Sequence, residues 1–167
     1  MDRIEAFEPI LGKNPEILIL GTMPSVKSLE NREYYGYGKN QFWRIMGDLF
    51  GFNRDDDYDL RKRRIIEKKI AVWDVIESCE RKGSLDRDIK NAKYNDIVGF
   101  IKKHPTIRAV VFNGGKARDI YRKYFEPSLP EVEIFDFYST SPANAIPYER
   151  KLEQWSKLKN WRNKNGF

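Results

Sequence analysis

Apolar and polar positions alternate along this chain in blocks. Four short runs, at 16–20, 70–75, 107–112 and 132–137, are rich in Val, Ile and aromatic residues with little polar interruption, the pattern of buried strands. Between them the apolar positions take helical spacing. The clearest case follows Asn40, where Phe42, Ile45, Met46, Leu49 and Phe50 share one face and Gly51 supplies a stop. Further helices are predicted at 59–68, 94–103 and 116–124. A last one starts at Pro147, with Tyr148, Leu152, Trp155 and Leu158 on a common face. Strand and helix in alternation specify right-handed βαβ units, hence an α/β fold with a mainly parallel sheet of about four strands covered on both sides. Binding sites in such folds lie outside the carboxyl ends of the strands. A length of 167 residues fits one domain spanning the chain.

Composition narrows the class. Hydrophobic residues make up 40% and charged residues 34%, enough to bury a core and too apolar for a disordered chain. The longest aliphatic run covers only 17–20, and the opening Met-Asp-Arg-Ile-Glu lacks a secretory pattern, so no membrane partner and a cytoplasmic location are expected. Cys79 and His104 are the only residues of their types, which excludes a disulfide framework, cysteine-rich zinc sites and iron–sulfur clusters, and removes most other metal sites. His104 precedes Pro105 in a Lys-rich stretch that reads as a helix end, so a Ser-His-Asp triad is not expected either. The net charge of +6 favours polyanions such as nucleic acid. Its densest basic stretches, Arg61 to Arg64 with Lys68 and Lys69, and Lys151, Lys157, Lys159, Arg162 and Lys164, read as solvated helix faces.

Three strand-end loops should gather on one edge of the sheet: Gly21-Thr22-Met23-Pro24-Ser25, Asn113-Gly114-Gly115-Lys116, and Ser139-Thr140-Ser141-Pro142-Ala143-Asn144. Glycine permits close backbone approach, and hydroxyls beside free N–H groups hold phosphate oxygens; each loop taken alone reads as an ordinary turn by composition, and it is their joint placement that points to a binding edge. Gly114-Gly115-Lys116 is not a phosphate-binding P-loop, because the required first glycine is missing and Ala117 replaces the metal-binding hydroxyl. No Gly-x-Gly-x-x-Gly follows the first strand, so no dinucleotide is expected. The chemistry should need no cofactor and no metal.

An aromatic, glycine-rich loop over 31–40 leads into the amphipathic helix. Its tyrosines either stack on a base, worth roughly 1 to 3 kcal/mol, or pack on the sheet edge. Asn40 is either the helix N-cap or a cleft amide that can both donate and accept.

Taken together, these segments resemble the uracil-DNA glycosylase superfamily, and within it the hypoxanthine-DNA glycosylase (DNA-deoxyinosine glycosylase) family. The block from Ile17 through Gly21-Thr22-Met23-Pro24-Ser25 to Leu29 is the most specific part, followed by Tyr34-Tyr35 and Asn40-Gln41-Phe42-Trp43. Val72-Trp73-Asp74-Val75, Phe112-Asn113-Gly114-Gly115 and Ser139 to Ala145 also match family blocks. The resemblance implies a three-layer α/β/α sandwich that flips a damaged base from double-stranded DNA and hydrolyses its bond to deoxyribose, with deaminated bases as targets. A monomer is expected. Uracil-removing relatives carry Asp or Asn where Met23 stands, and a thioether cannot activate water. The resemblance therefore shifts the catalytic role to Asn40, with Asn113 a second polar candidate. It makes Tyr35 the base-stacking ring, with Met23 and Phe42 also against the base. Gly21, Pro24, Ser25, Ser139, Thr140, Ser141, Pro142, Ala143 and Asn144 become DNA contacts. Ser25 departs from a glycine frequent in the family.

In this reading Asn40 positions water or contacts the base, and backbone N–H groups near Met23 receive developing negative charge. Asp74 and Asp136 form a rival carboxylate pair, or simply close strand ends. Other readings are a mismatch-specific uracil or thymine glycosylase, a non-catalytic nucleic-acid-binding module, and a nucleoside hydrolase.

Overall fold

A computed structural model describes residues 2–125 and 131–165. In chain order the elements are β1 (Arg3–Glu5), β2 (Ile17–Gly21), α1 (Val26–Asn31), α2 (Phe42–Phe50), α3 (Tyr58–Glu67), β3 (Ile70–Asp74) and β4 (Ile76–Glu80). There follow β5 (Lys90–Tyr94), α4 (Ile97–Lys103), β6 (Ala109–Asn113), α5 (Gly115–Tyr124), β7 (Glu133–Phe137) and α6 (Tyr148–Lys164). The four predicted strands form one parallel sheet of order β3-β2-β6-β7.

Successive residues of β2 point to opposite faces, and the two faces have separate cores. Ile17 and Ile19 pack with Ile45 and Met46 of α2, Ile65 of α3, and Trp155 and Leu158 of α6. Leu18 and Leu20 pack with Phe100 of α4 and Ala117, Ile120 and Tyr121 of α5. This double burial explains why β2 and β6 are continuous apolar runs: every residue of both is buried. The result is the expected helix–sheet–helix layering.

A second sheet, antiparallel and of order β1-β4-β5, is added on the face that carries α4 and α5. Periodicity does not announce it. Strand β4 has irregular register with β5, and β5 is Lys-Asn-Ala-Lys-Tyr, with no residue fully buried. The helix expected at 94–103 starts three residues late for the same reason. Tyr94 ends β5, and Asp96 then caps α4 by accepting from the Gly99 N–H at 2.9 Å. His104 closes that helix, its Nδ1 2.9 Å from the Phe100 carbonyl.

Candidate active site

The carboxyl ends of β2, β3 and β6 open into a cleft of about 390 Å³. Its wall includes the loop after β2, Tyr34, Tyr35 and Asn40 from the α1–α2 connection, and the 139–144 loop after β7. The turn between β4 and β5 contributes Ser84, Leu85 and Asp86. Parallel strands end on one side of a sheet, so residues far apart in sequence meet here.

Gly21 sets the depth of the floor. A Cβ at this position would stand 2.6 Å from Asp74 Oδ1 and 2.7 Å from the Tyr35 hydroxyl, so only glycine lets these two groups reach the end of β2. Asp74 is 3% exposed and its Oδ2 has no hydrogen-bond partner among the described residues. Burial pushes its pKa up to about 7, the negative Asp86 adds to the rise, and Arg81 opposes it. Near neutrality this carboxyl is a mixture of acid and carboxylate. The Tyr35 hydroxyl is likewise buried without a hydrogen bond of good geometry, beside the Asn113 amide, and burial holds it well above an ordinary phenol.

Tyr35 takes a left-handed backbone conformation, φ 53°, which turns its ring inward. One face of the ring stacks on Phe42, with centroids 4.1 Å apart and planes at 24°. Phe42 is fully buried and does not line the cleft, so the expectation that it touches a base is corrected: it backs Tyr35, and only the opposite face of Tyr35 can receive a ring. Tyr34 follows the packing alternative. It is 4% exposed, its hydroxyl bonds to the Glu8 carbonyl at 2.9 Å, and its own carbonyl accepts from the Trp43 indole at 2.7 Å.

The N-cap expectation for Asn40 is corrected by one position: Gln41 is the N-cap of α2 and makes no side-chain cap bond. Asn40, the residue before it, still braces the helix start, its Oδ1 accepting from the Phe42 N–H at 3.0 Å, and it lines the cleft. Because the oxygen is committed to the helix, the amide is oriented, and its Nδ2 carries no hydrogen bond among the described residues. Asn113 is held at both ends: its Oδ1 accepts from the Thr140 N–H at 2.9 Å and its Nδ2 donates to the Thr140 hydroxyl at 3.0 Å. The Thr140 carbonyl in turn accepts from the Gln41 N–H at 3.0 Å.

Met23, Pro24, Ser25, Ser139, Thr140, Ser141, Ala143 and Asn144 all line the cleft, while exposed Pro142 lies at the loop tip outside the lining. Ser25 caps α1, its hydroxyl accepting from the Ser28 N–H at 3.1 Å. The rival carboxylate pair does not form. Asp74 ends β3 at one edge of the sheet, whereas Asp136 lies on β7 at the other and bonds Arg122 at 3.1 Å. Two charged residues of the cleft region escape sequence reasoning: Arg81 and Asp86. Arg81 is 5% exposed and donates to the Pro24 carbonyl at 2.6 Å and the Gly83 carbonyl at 2.7 Å, tying the β4–β5 turn to the loop after β2. Lys151, expected on a solvated face, is 1% exposed and donates to the 139–144 loop. Among the described residues no three His, Cys, Asp or Glu side chains come together as a metal site, and no helix is long and apolar enough to cross a membrane.

An α/β sandwich with a cleft at the carboxyl ends of its parallel strands defines a class of ligand-binding folds. Comparison with known proteins places the chain within it. The Uracil DNA glycosylase superfamily pattern matches residues 9–163, and the chain belongs to that superfamily. A Methanosarcina acetivorans protein named hypoxanthine DNA glycosylase is 37% identical over 152 residues, covering 89% of this chain and 93% of the relative. A Methanosarcina barkeri protein of the same name is 31% identical over 155 residues, covering 91% and 95%. The solution NMR structure of a candidate uracil DNA glycosylase from Methanosarcina acetivorans superposes with a TM-score of 0.84 at 31% identity, covering 97% of this chain and 99% of that one.

Proposed function

We propose that this protein is a monofunctional DNA glycosylase that acts as a monomer on double-stranded DNA, extrudes hypoxanthine and hydrolyses its bond to deoxyribose. The observation that carries the reading is the cleft floor. Asp74 Oδ2 is buried there without a partner and the Tyr35 hydroxyl has only the Asn113 amide beside it, in a chain similar over most of its length to two hypoxanthine DNA glycosylases. Unsatisfied buried polar atoms cost roughly 1 to 3 kcal/mol each, so a ligand that pairs with them gains what the empty site lacks.

Hypoxanthine presents O6 as an acceptor next to N1–H as a donor. Asp74 in its acid form offers an O–H to the first and a carbonyl oxygen to the second. The extruded ring lies on the open face of Tyr35, with stacking worth roughly 1 to 3 kcal/mol. As the C1′–N9 bond breaks, negative charge builds on the base and positive charge on the sugar. The Asn40 Nδ2 donates to the departing base, and water adds to C1′. The proton that water loses balances the charge on the released base. A deaminated base pairs weakly, which lowers the cost of extrusion.

The test uses oligonucleotides with a single deoxyinosine, deoxyuridine or adenine, abasic sites being revealed by alkali, together with free inosine. Release from deoxyinosine alone is expected. Release of uracil without hypoxanthine, or turnover of inosine alone, overturns the proposal. Asn40→Ala should lower the rate tenfold or more and cost about 1 kcal/mol of stability, because the same amide also anchors α2. Loss of stability with full turnover would return Asn40 to a purely structural role.

A further inference from the structure

Lys151 is a buried cation near the start of α6, with no acid paired to it. Its Nζ donates to the carbonyls of Ser141, at 3.3 Å, and Asn144, at 3.1 Å. Burial lowers its pKa, and no neighbouring carboxylate offsets the loss of water. A charge in that position is costly unless its hydrogen bonds matter, and an apolar side chain would fill the space at lower cost. The two carbonyls bracket Pro142 and Ala143, which are both apolar and exposed. The rest of the turn is equally fixed. The Ser141 N–H bonds Ser139 Oγ at 3.1 Å, the Ala143 N–H bonds Ser141 Oγ at 3.2 Å, and the Ile146 N–H bonds Asn144 Oδ1 at 3.0 Å. Every bond shapes the loop and leaves its tip bare beside the cleft.

The family resemblance already implies that the loop after β7 enters the duplex; we propose that Lys151 is the positioning residue that sets its 141–144 turn as a rigid wedge, with Pro142 and Ala143 at the stack where an extruded nucleotide leaves it. The assignment rests on the glycosylase reading and adds to it a preference for paired DNA. Apolar side chains, proline included, are suited to separating base steps, and unstacking opposes extrusion from a continuous duplex. A wedge already ordered in the free protein does not lose binding energy to its own ordering.

The experiment measures kcat/KM for hypoxanthine release from two oligonucleotides with identical flanks. In one, deoxyinosine is paired within continuous duplex; in the other it lies in an unpaired bubble, where nothing has to be opened. Lys151→Met should lower the paired-to-bubble ratio tenfold or more, with most of the change in paired duplex. Lys151→Gln, which keeps two N–H donors, should restore most of the ratio. An unchanged ratio in Lys151→Met, or equal loss on both substrates, overturns the assignment. So does loss of the cooperative thermal melt in both variants, since Lys151 would then support the whole fold. A wild-type chain that releases hypoxanthine from neither substrate fails the glycosylase reading itself, a separate outcome.

Discussion

The floor of the cleft and its rim are built on opposite principles. On the floor, polar atoms are buried with little pairing: Asp74 Oδ2 at the end of β3 has no partner, and the Tyr35 hydroxyl that reaches the end of β2 has only the Asn113 amide beside it. On the rim, Thr140 engages Asn113 and Gln41, Lys151 engages Ser141 and Asn144, and Arg81 engages Pro24. The rim is therefore cross-tied by several hydrogen bonds, with Arg81 Nη1 and Gln41 Oε1 still unpaired among the described residues, while the floor rests on the ends of β2 and β3 and leaves Asp74 Oδ2 unpaired. The difference separates a densely cross-bonded loop from a carboxyl left with an open valence for hydrogen bonding, which is where the proposed function places the base.

The sharpest way to break this contrast is Gly21→Ala. The added methyl collides with the Asp74 carboxyl and the Tyr35 hydroxyl together, so at least one must leave the floor. Overpacking of this kind costs roughly 1 to 3 kcal/mol of stability, and excision should fall by about a hundredfold or more, equivalent to roughly 3 kcal/mol in the barrier. Single-turnover rates and a thermal melt measure both.

Asp74→Asn sharpens the comparison. The folded-state pKa of about 7 lies above the ordinary value of 3.8, so ionisation is penalised in the folded protein. Stability contributed by the neutral acid is complete below the unfolded value and is lost as pH rises through the folded one. The penalty can reach a few kcal/mol, since a tenfold change in an ionisation constant corresponds to about 1.4 kcal/mol. The amide cannot ionise, so the variant should melt higher than the wild type at pH 8 and similarly at pH 4. If the acid form reads O6, wild-type kcat/KM should decline above pH 7, while the variant, which keeps one donor and one acceptor, shows no such decline. The smallest effect belongs to Asp136→Asn. Its half-exposed pair with Arg122 is worth about 0 to 1 kcal/mol, and excision should be unchanged.

The four parallel strands and the helices over them are legible because burial on both faces of β2 and β6 leaves no polar position to blur the pattern. The meeting of Gly21, Asn113 and the 139–144 loop follows from that order. The antiparallel sheet is not legible, since β5 buries no residue fully and β4 mixes Glu77 with buried Ser78 and Cys79. With it go Arg81 and Asp86, whose nearness to the cleft depends on a hairpin the periodicity hides. Lys151 is missed for a different reason: a lysine among lysines on a terminal helix carries no local sign that it is buried. Asp74 is legible as a strand end, but the lack of a partner at its Oδ2 is a property of three dimensions only.

Thr140 joins three parts of the molecule through one residue. Its N–H meets Asn113 at the end of β6, its hydroxyl accepts from the same amide, and its carbonyl meets Gln41 at the threshold of α2. A shift of the loop after β7 therefore cannot occur by itself, since it drags the residue next to Asn40 along. A displacement of the outer tip is thus transmitted to Asn40, so in the proposed reaction gripping the nucleic acid and aligning the reacting groups would be one mechanical event.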